Sequence, residues 1–282
     1  MTIKIFFNKV LRRLRHLYVD FERFFSLTWF NPLATLYINL RLLPISKAFI
    51  LPIFVYGRPR FFSLYGKAIF DVDRVYPGIV RLNRRRHVAG SPNNTGGPSE
   101  FNIYGTMVFK GRCQIGTDNK ICVGERGFLT LGKDVLIMSA CNITAYKEVR
   151  IGDNAIISHR SQIMDTNYHY VANFIKKRVK PIATPIILGN NCWICNSSTI
   201  MGGAKLPDYV IVASGSMVNK DLREVAKESV VGGCPAKVIS EGCRFVYNSN
   251  FSREISCFFN EHPESESYII EDNTSHDICD PI

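Results

Sequence analysis

No stretch of this sequence carries the ~20 consecutive apolar residues that a membrane-spanning helix requires. The most apolar run, residues 48–56, is short, and extended back to Leu42 it still contains Lys47 and two prolines. A cleavable secretory signal is also missing, because charges run through the N-terminal segment where such a signal has an apolar core. No second Cys-x-x-Cys stands at a zinc-site distance from Cys192 and Cys195, which disfavours metal and redox chemistry at that pair. The nine cysteines are odd in number and scattered, as expected of reduced thiols used as small hydrophobes in a reducing compartment. No Lys or Arg follows Arg253, while eight acids do. That composition predicts that the C-terminal extension, residues 241–282, is partly disordered, although Phe245 to Phe259 reads as a packed element.

What is present is a period of six. Leu188, Ile194, Ile200, Leu206, Val212 and Val218 follow one another without a slip, and Cys192, Ser198, Ala204, Val210 and Ser216 fill the small fifth position of each step. Helices repeat apolar residues at i, i+3 and i+4, and half-buried strands at every second position, so neither accounts for this pattern. A parallel β-helix does: each six makes one short strand and one corner, and three sixes close a triangular turn with the aliphatic side chain inside. Ile151, Ile157 and Ile163 form a second run, Leu131, Ile137 and Ile143 a third, and Ile103, Phe109, Ile115 and Ile121 a more ragged fourth. The phase slips between Ile121 and Leu131 and between Ile143 and Ile151, and breaks between Ile163 and Leu188. The expected fold is an all-β core over residues 61–240 with an α-helical preface over 1–60.

The formal net charge is +11, unevenly spread: residues 1–60 hold ten Lys or Arg against Asp20 and Glu22. Phe7, Val10, Leu11, Leu14, Leu17, Tyr18, Phe21, Phe24 and Phe25 recur at helical spacing, with Lys9, Arg12, Arg13, Arg15 and Arg23 elsewhere on the wheel. This basic amphipathic segment predicts either a cap on the β-helix or a peripheral contact through residues 1–30 with an anionic membrane surface. Nucleic-acid binding fits less well, because the basic residues concentrate in that helix. A second helix is expected from Asn31-Pro32 to before Pro44, burying Leu33, Leu36, Tyr37 and Leu40. Residues 84–99 read as a solvated loop, whose Arg84–Arg86 run has a phosphate-binding alternative.

Chemistry is expected where the period breaks. Residues 165–187 leave the repeat as a loop of a length that is usually functional or disordered. The loop opens with Asp165, Asn167 and His169 just after a well-phased strand. DTNYHY (165–170) resembles the Asp-x-Asp-x-His segment of the hexapeptide-repeat acyltransferases, whose catalytic histidine falls on His169. PIILGNNCWI (185–194), GGAKLPDYVIVASGSMVNKD (202–221) and GGCPAKVI (232–239) resemble that family's remaining signature steps. The resemblance covers roughly residues 100–240 and is strongest to the maltose and galactoside O-acetyltransferase type and its polysaccharide-modifying branch. It implies a left-handed parallel β-helix, a homotrimer, and acetyl-CoA as co-substrate in a groove between two prisms. Trp193, Asn196, Ser214, Lys220 and Lys237 match positions on the cofactor side. Asn167, Arg160 and Arg178 match or adjoin the acceptor side. The sequence departs from the pattern with Asn167 for a second Asp, Arg160 for an Asn, Cys195 for a Gly and Ser214 for an Ala.

Acetyl transfer to a sugar hydroxyl needs a base, an oxyanion donor and two substrates held together, but no metal. An imidazole, mostly neutral near pH 7, can accept the hydroxyl proton. Asp165 can orient it or bind the acceptor, and a backbone N–H or the Asn196 amide can face the oxyanion. The expected activity is O-acetylation of a cell-surface glycan or its lipid-linked precursor, in the cytoplasm or at the inner face of the membrane. The alternatives are N-acetylation of an amino sugar, a γ-carbonic-anhydrase-like zinc site, or a non-catalytic trimer. A zinc site needs a third histidine beside His159 and His169, and an intact His169, Trp193 and GGCPAKVI argue against a dead scaffold.

Overall fold

Six residues suffice for one short strand and a turn, and the computed structural model stacks such steps into a parallel β-helix with three sheets. It describes residues 13–15, 17–18, 29–84 and 97–281. The first sheet has nine strands, the second seven and the third six, and from Ile53 to Val218 the consecutive strands of the prism fall on successive sheets. Of the uninterrupted run, Ile194 and Val212 pair in the first sheet, Ile200 and Val218 in the second, and Leu188 and Leu206 in the third. Each column continues back along the prism. Ile115, Ile137, Ile157 and Ile194 stack in register in the first sheet. Ile121, Ile143, Ile163 and Ile200 do so in the second, and Phe109, Leu131, Ile151 and Leu188 in the third. All are buried, and so are the small residues Cys192, Ser198, Ala204, Val210 and Ser216 that sit at the corners.

All three breaks in phase lie on one edge of the prism, between the second and third sheets. Residues 124–127 account for the first slip, residues 146–147 for the second, and the 165–185 excursion for the third. Between Ile103 and Val218 the other corners keep their six-residue length, whereas longer connections at residues 71–79, 83–99 and 219–229 lie towards the two ends.

The N-terminal end of the prism is closed by helix α1, Pro32–Leu42, capped by Asn31, whose side chain accepts the Ala34 N–H at 3.0 Å. The start and stop agree with the sequence reading, but the buried face does not. Thr35, Ile38, Asn39 and Leu42 are buried, whereas Leu33 is 79% exposed and Leu36, Tyr37 and Leu40 are exposed too. The reason is the raw edge of the first strand, Ile53–Val55, whose backbone groups lack a preceding strand. The Asn39 amide donates to the Ile53 C=O at 2.7 Å and accepts its N–H at 3.1 Å, and Thr35 Oγ1 accepts the Val55 N–H at 3.0 Å. Satisfying a sheet edge takes polar side chains, and it outweighs burying the more apolar face. The short helix α2, Ile45–Ala48, follows. Of the N-terminal amphipathic segment, only Arg13–Arg15, Leu17 and Tyr18 are described, and they are helical. The rest of it, like most of the 84–99 loop, lies outside the described residues.

The other end closes differently. Strand Ala236–Ser240 turns back antiparallel on Val230–Gly233. The segment beyond it, expected to be partly disordered, instead lies along the first sheet. Phe245 packs on Trp193 at 4.6 Å between ring centres, and the Tyr247 hydroxyl donates to the Asn154 C=O. Arg244 sits 4.0 Å over the Tyr209 ring and pairs with Glu228 at 2.8 Å and with Asp277 and Asp280 at 3.2 Å. His276 also meets Glu228, at 2.7 Å. Helix α3, Ser249–Glu261, buries Phe251. Composition alone misses this because the late acids are partners of Arg244, which precedes the acidic stretch.

Candidate active site

The 165–185 excursion is a built arm rather than a loose loop. It leaves the second sheet after Gln162–Met164 and returns at Ile186–Leu188 in the third. Its two sides run antiparallel: Asn167 N–H donates to Ile182 C=O at 3.2 Å, and Ala172 and Asn173 pair with Val179 and Arg178. At its base, Thr184 N–H donates to Asp165 C=O at 2.8 Å. Gly202 is required there, since a Cβ would stand 2.7 Å from the Asp165 carbonyl oxygen.

Asp165 locks the arm to the prism. Its buried carboxylate accepts the backbone N–H groups of Tyr146 at 2.8 Å, Lys147 at 2.7 Å and Glu148 at 2.8 Å. Both oxygens are therefore spent on the neighbouring corner. Next to it Tyr168 takes a left-handed conformation, φ 62°, which bulky residues rarely adopt. Two bonds hold it: its N–H donates to Thr166 Oγ1 at 3.0 Å, and its hydroxyl lies 3.2 Å from Thr144 Oγ1. His169 follows at once. It is exposed, and among the described residues its ring makes no hydrogen bond.

Between arm and prism lies a cleft of about 440 Å³ lined by Asp165, Asn167, His169, Lys176, Arg178, Lys180, Thr184, Met201, Gly202 and Asn219. Three cations thus face a pocket whose carboxylate is already held by three amides, so the cleft favours anionic or electron-rich groups. Of the residues singled out from sequence, the structure gathers Asp165, Asn167, His169 and Arg178 here. Lys220 is exposed next to Asn219. Thr184, Met201, Gly202 and Asn219 escaped the sequence reading; Gly202 and Asn219 lie in a recognised step, and the other two carry no signal until the arm folds back over them.

The remaining candidates lie elsewhere. Asn196 and Ser214 meet at the edge between the first and second sheets, where Ser214 Oγ donates to Asn196 Oδ1 at 2.8 Å. Arg160 and His159 occupy the same edge one turn earlier, and the Ser197 N–H donates to the His159 C=O at 3.0 Å. Burial, reinforced by Arg160, pushes the His159 pKa down. Trp193 is not in the cleft: its Nε1–H donates to Ser158 Oγ at 2.9 Å, and its ring lies against Phe245. Lys237 is exposed on the closing hairpin, paired with Gly232. Cys192 and Cys195 are buried, and burial pushes their thiols up to about 12 and about 11, which leaves them protonated and unreactive near neutrality. Among the described residues no group of three or more His, Cys, Asp or Glu is placed to hold a metal ion, and no helix is long and apolar enough to cross a membrane.

No family model matches the chain. Curated relatives do. The galactoside O-acetyltransferase of Escherichia coli is 33% identical over 93 residues, which are 33% of this chain and 44% of that protein. A putative colanic acid biosynthesis acetyltransferase of Escherichia coli is 28% identical over 113 residues, 40% of this chain and 58% of the relative. An uncharacterised 24.8 kDa protein in the cps region of Klebsiella pneumoniae is 30% identical over 161 residues, 57% of this chain and 68% of its own length. Both relatives of named activity are acetyltransferases, and the chain is similar to each over part of its length. It spans less than two thirds of the first two relatives.

Proposed function

We propose that this hexapeptide-repeat protein is an O-acetyltransferase that moves an acetyl group from acetyl-CoA to a sugar hydroxyl of a cell-surface glycan or its precursor. The observation that carries the reading is His169, unencumbered at the mouth of a cationic cleft on an arm whose base is locked by Asp165. The His169 imidazole takes the hydroxyl proton as the sugar oxygen bonds to the thioester carbonyl carbon. The tetrahedral intermediate then expels the thiolate as the C–S bond breaks, and the imidazolium returns its proton to sulfur, giving the acetyl ester and free CoA thiol. Arg178, with Lys176 and Lys180, holds an anionic acceptor beside Asn167. Lys220 and Lys237 serve the phosphates of the donor. Residues 1–30 make the peripheral contact with the inner face of the membrane.

The architecture supports a homotrimer, coiled in the left-handed sense the resemblance implies. On one prism the Asn196–Ser214 pair and the His169 arm occupy different edges, on either side of the second sheet. One copy therefore presents a base without an oxyanion donor, and a neighbouring copy can supply it. Subunit mixing tests this directly. Separately inactive His169→Ala and Asn196→Ala chains, co-expressed and purified together, should regain a measurable fraction of wild-type acetyl transfer. If the mixture stays as inactive as its parts, each site is completed within one chain.

A further inference from the structure

The edge between the second and third sheets carries a row of tyrosines that leads to the cleft. Tyr65, Tyr104, Tyr146 and Tyr168 each follow a second-sheet strand, and they are 76%, 46%, 37% and 45% exposed. Tyr65 and Tyr104 lie in stacked array, 5.9 Å between centres and 27° between planes. Tyr146 meets Tyr168 edge to face at 5.2 Å. In the turn between these pairs stands Gly124, where a Cβ would come within 3.2 Å of the Tyr146 ring. From Tyr65 to Tyr168 the row crosses four rungs, about 19 Å at ~4.8 Å per rung.

The row is continuous with the cleft at both a residue and an anchor. Tyr168 precedes His169, and the Asp165 carboxylate that floors the cleft also binds the backbone N–H of Tyr146. Cations accompany the rings: Lys67, Arg126 and Lys147 are exposed along the same edge, and among the described residues none forms an ion pair. Glu125 is the exposed acid between them, and Glu148 is taken up by Arg150 at 2.6 Å.

The geometry points to an extended subsite for an acidic polysaccharide, with the tyrosine edge holding several consecutive sugars while one reaches His169. Sugar rings present flat C–H faces that lie against exposed aromatic rings, and phenolic hydroxyls bond the ring substituents. The interleaved cations select carboxylate-bearing chains over neutral ones. The acceptor is accordingly a polymer or a long oligomer rather than a monosaccharide. This inference rests on the acetyltransferase reading only for what happens at His169; the binding edge stands without it.

The test separates the two. Catalytically silenced His169→Ala protein, and the same protein with Tyr65→Ala and Tyr104→Ala added, are titrated with uronic-acid and sialic-acid polymers of graded length and with neutral dextrans. Affinity should rise with length for at least one acidic polymer, fall about tenfold or more in the tyrosine variant, and be absent for dextran. The tyrosine variant should keep its melting temperature and oligomeric state, since both rings are exposed. Equal binding with and without the tyrosines, a preference for neutral chains, no binding at all, or dissociation of the assembly in the variant would overturn the proposal. Wild-type protein that binds the acidic polymer through the row, yet transfers no acetyl group from acetyl-CoA, would leave the subsite standing and remove the acetyltransferase reading instead.

Discussion

Asp165 and His169, four residues apart, have opposite surroundings. Asp165 is buried and accepts three backbone N–H groups from one corner, while His169 is exposed and unbonded among the described residues. Sequence pattern alone leaves Asp165 as a partner for the imidazole, because spacing does not reveal which groups compete for a carboxylate. The three amides decide the competition, since charge-assisted bonds to backbone N–H groups are among the stronger ones available. Asp165→Ala should strand those buried donors and cost about 3 kcal/mol or more, lowering Tm by roughly 6–12 °C. Thermal unfolding followed by circular dichroism checks it, and an unchanged Tm would show that water replaces the carboxylate without loss. Trp193 teaches the same lesson. Its place in a signature step was legible, but its cover by Phe245, 52 positions later, was not.

Elements show where the period carries information and where it stops. Helix α1 was legible from Asn31-Pro32, yet its orientation was not, because an apolar stripe at Leu33, Leu36, Tyr37 and Leu40 outscores a polar one at Thr35 and Asn39 on hydrophobicity. The strand edge reverses that preference through hydrogen bonds that no local pattern encodes. Asn39→Leu should therefore destabilise the protein by about 2–4 kcal/mol, despite being more apolar in a buried position, and should promote edge-to-edge aggregation seen by light scattering. A variant as stable as wild type would mean that the cap binds through apolar contact alone. At the far end, Glu228 joins Arg244 and His276. Burial alone would raise the Glu228 pKa, but hydrogen bonds from Arg244 and His276 hold it below its ordinary value. A depressed carboxylate stabilises the fold above its unfolded pKa, and that contribution is lost as pH falls through the lower folded value. The C-terminal segment should thus loosen in acid, relieving Trp193 of Phe245. Trp193 fluorescence in a Trp29→Phe background should shift below about pH 4.5, well before the β-helix unfolds. Coincident transitions would place the latch and the prism in one cooperative unit.

For the whole molecule, the period of six translated into three buried columns. Leu188, Ile194 and Ile200 each enter a different sheet, and Leu206, Val212 and Val218 repeat the circuit. The three phase breaks read as irregularities in one dimension, but they share one edge in three. That edge bears Tyr65, Tyr104, Tyr146 and the arm, so these three breaks gather on the edge where the surface is specialised, although Tyr65 and Tyr104 themselves stand in corners of ordinary length. An unbroken prism would offer flat faces and uniform corners. The account's central claim is that the last and longest of these breaks carries the base. Acetyl-CoA binding and single-turnover acetyl transfer measured side by side for His169→Ala test it most directly, with an acidic surface polysaccharide as acceptor. The donor should bind with near wild-type affinity while the transfer rate falls ~10²–10⁴-fold. A variant that kept more than about a tenth of the wild-type rate, well above what loss of a base leaves, would contradict the claim.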